Sequence, residues 1–249
     1  ISLVVTIISM LLAIYFSSRV ERQEQLFKGD SSTFKQVFEQ FTQIKENPLI
    51  RNFIFYAFIW TCLSTALWFF QLEIINNFTN DSAVKTQIFG RADSMVPIIT
   101  LATQLLLTSY FLRSKYLGIR FILTMYGVLF TVAFLGVSGY FSEYLLSASG
   151  ITLFLILQGT MRPFEYGLNK PAREAVFTTL STKEKYKSTV FIDTFTNRFG
   201  DATGGLLFNS LLSFGLLLYA APLAIIPLAI FLINLGWSIS KDIDPVNSK

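Results

Sequence analysis

Hydrophobic residues along this chain gather into runs of about twenty, each bounded by polar or basic residues. At a rise of about 1.5 Å per residue, a helix of that length matches the ~30 Å hydrocarbon core of a bilayer. Seven such runs fall at residues 1–18, 52–71, 94–113, 117–139, 146–162, 190–213 and 217–240. They are continuous rather than alternating, which predicts spanning helices and excludes an outer-membrane barrel. The last two are separated only around Phe214 and Gly215, which predicts a tight helical hairpin. The longest polar stretch follows the first run. Within it Phe34, Val37, Phe38, Phe41 and Ile44 recur at helical spacing, after Ser31 and Ser32 and before Pro48. That pattern predicts a helix lying on the membrane face or packed on a neighbouring soluble domain.

Composition sharpens this picture. The chain is 52% hydrophobic and 14% charged, whereas a soluble domain is about a quarter charged. The class this implies is an all-α integral membrane protein, with the lipid bilayer as its first partner. With no His and one Cys, Cys62, the chain lacks material for an imidazole or thiolate metal site, for Ser–His or Cys–His catalysis, and for an internal disulfide. The expectation is therefore no enzyme, no metal and no cofactor. No GxxxxGK[ST] motif is present, so any transport is exchange or gradient-driven. Two Asn-x-Ser/Thr sequons, at Asn77 and Asn80, read as chance occurrences.

The net charge of +4 reports sidedness rather than nucleic-acid binding. Stretches 19–51, 113–120 and 162–187 and the C-terminal tail hold 17 of the Lys and Arg residues, and the opposite side holds two, Lys85 and Arg91. The basic stretches are thus expected in the cytoplasm. Ile1 already lies inside a hydrophobic run, so the chain reads as a piece of a longer polypeptide. On that reading, 1–18 is the last helix of a missing N-terminal bundle. Residues 19–51 are a cytoplasmic linker, 52–240 a C-terminal six-helix bundle, and 241–249 a tail. Two six-helix halves rocking around a midplane site form the major facilitator architecture.

The sixth run, 190–213, is unusual in carrying charge, which is costly in a membrane and marks a polar interior or solute pathway. On a 3.6-residue repeat Asp193, Asn197, Asp201 and Gly204 share a stripe, with Arg198 beside it and one turn from Asp201. Arg198 lies about 16 Å above Lys187, near the membrane centre. It is placed to contact an anionic solute, with Asp193 or Asp201 holding it when the site is empty. The alternative is an internal Arg198–Asp201 pair fixing packing, with Gly200, Gly204 and Gly205 permitting close helix contact. Gln158, Arg162 and Glu165 share a face of the fifth run, Gln158 toward a cavity and Arg162 at its cytoplasmic end, where it is free to snorkel. In the second run Trp60, Thr61, Ser64, Thr65, Trp68 and Gln71 form a polar-aromatic stripe, suited to adenine stacking or to core packing. In the third, Gln104 is deep and polar, and Arg91 and Asp93 guard the outer mouth.

Residues 167–205 resemble the ATP/ADP translocase family, nucleotide transporters of major facilitator type. Pro171, Arg173, Glu174, Phe177 and Leu180 match its first block, Lys187, Ile192 and Asp193 its second, and Gly200, Gly204 and Gly205 its third. The similarity is strongest to the family's bacterial relatives, which implies a bacterial inner membrane. It also implies alternating access and a small anionic solute that is nucleotide or nucleotide-like, while the polar faces of the fifth and sixth runs assign binding to Arg198, Asp193, Asn197, Asp201 and Gln158. Arg162, Arg173, Glu174 and Lys187 would form the cytoplasmic gate. Lys170, Thr189 and Asp201 depart from the family's charge pattern and point to a less charged solute. The rival expectation is a non-transporting membrane anchor or regulatory module.

Overall fold

A computed structural model describes residues 47–113, 117–142 and 150–243, all within one compact unit. The first hydrophobic run, the polar stretch through residue 46 and the C-terminal tail lie outside the described residues. Every described element is helical: α1 (Pro48–Phe78), α2 (Ser82–Thr103), α3 (Ser109–Arg113), α4 (Leu117–Phe141), α5 (Gly150–Phe164), α6 (Lys170–Phe177), α7 (Thr182–Phe191), α8 (Asn197–Ser213) and α9 (Ala220–Ile243). Five-residue π turns join α2 to α3 (Gln104–Thr108), α5 to α6 (Glu165–Asn169) and α7 to α8 (Ile192–Thr196). Each joined pair is therefore one continuous rod.

Four segments are long and apolar enough to cross a membrane: Pro48–Phe78, Ser82–Arg113, Gly118–Phe141 and Ala220–Lys241. The chain is an all-helical membrane protein. Among the described residues the α5–α6 and α7–α8 rods fall outside that set, and they carry Arg162, Glu165, Asp193, Arg198 and Asp201.

Local sequence explains where the helices begin. Asn47 caps α1 by accepting the Leu49 N–H at 3.0 Å, with Pro48 where no N–H is needed. Asp81 caps α2 through the Ala83 N–H at 2.8 Å, and Ser181 with Glu184 forms a capping box at α7. Residues 162–187, expected as a basic loop, are instead helical apart from the short turn after Phe177. Basic residues spaced along a helix carry no signal of breaking it. The third span likewise starts at Ser82 rather than 94, because Asp81 is a stronger boundary than the loss of hydropathy.

Helix α1 is the hub, packing against α8, α9, α5 and α4, while α4 lies along α9 and α2 along α5. Its buried face stacks Phe53, Tyr56, Trp60, Leu63, Leu67, Phe70 and Ile74. In a bilayer, helices gain little by hiding apolar surface from lipid, so close packing must hold them together. Small residues supply it at two seams. Gly127 and Gly236 bring α4 against α9, and Gly200 and Gly204 bring α8 against α1. A Cβ on Gly204 would meet the Cys62 carbonyl oxygen at 2.4 Å and Thr65 Cβ at 2.9 Å. The turn expected between the last two runs is present, with Gly215 at φ +80°. Yet α8 and α9 scarcely touch, each lying instead on α1 or α4.

Gly204→Ala should therefore destabilise the protein by about 1–3 kcal/mol, because the clashing atom is backbone and cannot turn aside. Gly90→Ala, where a Cβ meets nothing within 4 Å, should be neutral or slightly stabilising. Thermal unfolding in detergent compares the two.

Candidate functional site

A cavity of about 500 Å³ opens among α1, α4, α5–α6 and α7–α8. It lies part-way along these rods rather than at their ends. Arg162 is about 18 Å beyond Gly150 on α5–α6 and Arg198 about 24 Å beyond Thr182 on α7–α8. The sequence-derived site residues Gln158, Arg162, Asp193, Asn197, Arg198 and Asp201 all line it, and so do Thr61, Ser64, Thr65, Trp68 and Gln71.

The wall formed by α1 and α8 follows from the glycine seam. With the two backbones in contact, their polar stripes face each other. Thr65 donates to Asp201 Oδ1 at 2.8 Å, and the Thr61 hydroxyl, which donates to the Ala57 carbonyl at 2.8 Å, lies 3.2 Å from Asn197 Oδ1. Asp201 is thereby held by α1, leaving Arg198 with a loose contact of 3.8 Å to Asp201 Oδ2 and a side chain 81% exposed. That separation does not support a tight internal Arg198–Asp201 pair.

The α5–α6 wall departs from expectation. Arg162 is not at a helix end but inside the rod, bonded at 2.7 Å to Asp93 of α2, with its guanidinium 5.6 Å from the Trp68 ring centroid. Asp93 itself lies about 17 Å into α2. Neither residue is free to snorkel. Glu165 accepts from the Tyr126 hydroxyl at 3.3 Å, and Lys170 Nζ sits 4.0 Å over the Tyr166 ring. Gln158 is 4% exposed and donates to Gln71 Oε1, while its own Oε1 has no partner. Trp60 is 3% exposed, packed edge-on against Tyr56 and Tyr126, so core packing rather than adenine stacking describes it.

Why the π turn lies at Glu165–Asn169 is readable from Pro171. Proline has no N–H, which removes the helical donor to the Gly167 carbonyl. Because the Lys170 N–H reaches back five residues to Glu165, the Tyr166 carbonyl is left without one as well. Both are satisfied from α2's own π turn: Thr108 donates to the Gly167 carbonyl, and Gln104 Nε2 donates to the Tyr166 carbonyl at 3.1 Å. In hydrocarbon an unmet carbonyl costs several kcal/mol, so these two bonds fasten α2–α3 to α5–α6.

Beyond the cavity, Arg173 is buried and bridges α6 to the α7–α8 π turn, reaching Asp193 at 2.7 Å and Glu174 at 3.2 Å. Lys185 adds a 3.5 Å contact to Glu174. Lys187, expected with this group, has no carboxylate within 4 Å among the described residues. Asp193 thus belongs both to the cavity wall and to the ion cluster at its end. Sequence reasoning missed Lys170 and Tyr166 as lining residues and missed the Arg162–Asp93 pair, which joins positions far apart in the chain. Set against known proteins, the chain matches no family model, no curated protein and no solved structure.

Two measurements check this geometry. Thr108→Val should cost about 1–3 kcal/mol by orphaning the Gly167 carbonyl, and clearly less in a Pro171→Ala background, where a backbone donor returns. A double-mutant cycle by thermal unfolding reads the difference. For the cavity, native Cys62, at 1% exposure, should resist a membrane-impermeant thiol reagent, whereas Arg198→Cys should react readily in the same protein.

Proposed function

We infer that the chain is part of a secondary transporter, a six-helix bundle of major facilitator type that binds a small solute bearing an anionic group. One observation carries this reading. An exposed, loosely paired cation, Arg198, stands in a cavity of about 500 Å³ at mid-length of rods that accompany four membrane-length helices. Such a charge is costly in a bilayer unless it serves a solute pathway or a polar interior. A facing bundle would complete the site, and rocking of the two halves would give alternating access.

Within this reading the arginine contacts the anionic group, while Asn197, Asp201 and Gln158 shape the remaining wall. The Arg173–Asp193–Glu174 cluster serves as the gate at one end. Its ion pairs are suited to breaking in each cycle: Asp193 and Glu174 are half-exposed, so their pairing with Arg173 competes with water. The resemblance of residues 167–205 to nucleotide translocases supports a nucleotide-like solute. The acids Glu165, Asp193 and Asp201 lining the same cavity favour fewer negative charges than a triphosphate carries. The basic ends of the rods lie in the cytoplasm on this reading, and the membrane is a bacterial inner membrane.

Uptake by the full-length protein in liposomes, over a panel of labelled nucleotides, nucleosides, amino acids and organic acids, tests the proposal. At least one solute should accumulate, and Arg198→Ala should reduce its uptake by about tenfold or more, as expected for loss of a charge-assisted contact. Solute binding without uptake would favour a non-transporting membrane module. Uptake unchanged by Arg198→Ala would remove that residue from the site.

A further inference from the structure

We propose that the cavity takes an amphoteric solute, a compact molecule with one anionic and one cationic group. Arg198 and Lys170 meet the anion and Glu165 meets the cation. This rests on the solute-site reading above and narrows it.

The charges lining and flanking the cavity fall into two kinds. Some are already closely paired: Arg162 with Asp93 and Asp193 with Arg173, each at 2.7 Å. The others are not. Among the described residues Arg198 has no carboxylate nearer than 3.8 Å, and Lys170 rests on the Tyr166 ring. Glu165 has a phenol as its partner, with no cation within 4 Å among the described residues. Asp201 accepts from Thr65, a bond it keeps if Arg198 turns to a solute. Two cations and two acids therefore remain open.

A solute of pure negative charge would draw Lys170 away from Glu165, whose nearby cations are Lys170 and Arg162. That carboxyl would be left with less countercharge in a partly dehydrated wall, where uncompensated charge is costly. A pure cation leaves the two basic groups in the same state. A solute carrying both signs pairs both kinds of group and adds no net charge. The separation of signs is partial, since Lys170 shares the α5–α6 rod with Glu165 and Asp201 lies one turn from Arg198. The strongest acceptors and the exposed guanidinium nonetheless come from different rods. The Glu165 carboxyl and the unpartnered Gln158 Oε1 are both acceptors on the α5–α6 rod, two turns apart on one face. They suit an ammonium, which carries three donors and no acceptor. Arg198 lines the cavity from the α7–α8 rod. A polyphosphate fits this division poorly, since it has no positive group to offer Glu165.

The test measures thermal stabilisation of the full-length protein by matched probes. These are glycine, β-alanine, γ-aminobutyrate and ε-aminocaproate, the carboxylates and alkylammonium ions of the same chain lengths, and ADP. At least one amino acid should bind about tenfold or more tightly than both its carboxylate and its ammonium counterpart. Glu165→Gln should shrink that advantage by about tenfold, and Arg198→Gln should weaken the amino acid similarly. Because the matched series runs on the unmodified protein, its outcome does not depend on either variant folding.

A carboxylate or ADP that binds as well as every amino acid overturns the amphoteric assignment, while uptake of that anion in liposomes would leave the transport reading standing. Stabilisation by none of the probes also overturns the assignment, and the broader uptake panel then decides transport on its own. An amino-acid preference unaffected by Glu165→Gln overturns the role given to that carboxyl.

Discussion

The contact between α1 and α8 is the constraint on which the site depends. Gly200 and Gly204 let the two backbones approach until a Cβ would strike the Phe58 and Cys62 carbonyls. In lipid this closeness is itself the attraction, since dispersion and interhelical hydrogen bonds replace the hydrophobic effect. The same closeness aligns two polar stripes, so that Thr61 and Thr65 reach Asn197 and Asp201. One seam thus both joins the helices and anchors one wall of the cavity. Asp201, held from the α1 side, leaves Arg198 open.

A second fastening arises from a missing atom. Pro171 removes an N–H from the α5–α6 rod, and together with the π register shift this strands two carbonyls, which Gln104 and Thr108 satisfy from the neighbouring rod. The π turn between them carries Glu165 at its start, and Lys170 follows it, so both reach the cavity. Insertions of this kind shift helix register by one residue and recur at functional positions. Here the shift accompanies a bond between rods, so α2–α3 and α5–α6 are fixed to each other where the cavity lies.

The distribution of charge separates the rods by role. The four membrane-length helices supply most of the apolar surface and the α4–α9 seam, while α8 brings the glycines of its seam with α1. The α5–α6 and α7–α8 rods line the cavity together with α1 and α4, and some of their charges are met by partners from other rods, Arg162 by Asp93 and Asp193 by Arg173. A charge in such a position is tolerable when its countercharge is fixed across a helix interface. The ion pairs are for that reason also packing contacts.

Much of this was legible in the chain. The runs of apolar residues marked the helices, because a helix must be about as long as the hydrocarbon is thick. The stripe through Asp193, Asn197 and Asp201 was readable because helical periodicity is local, and these residues do line one cavity with Gln158 and Arg162. Helix ends were less legible, since caps such as Asp81 lie beyond the point where hydropathy fades. The first run and the amphipathic segment after it lie outside the described residues. What the tertiary structure alone decided was pairing: Arg162 with Asp93, Arg173 with Asp193, and Thr108 with the Gly167 carbonyl. Periodicity places a residue on a face of its own helix. Which helix lies opposite, and at what height, depends on where glycines let backbones touch and where a proline leaves a carbonyl to be met.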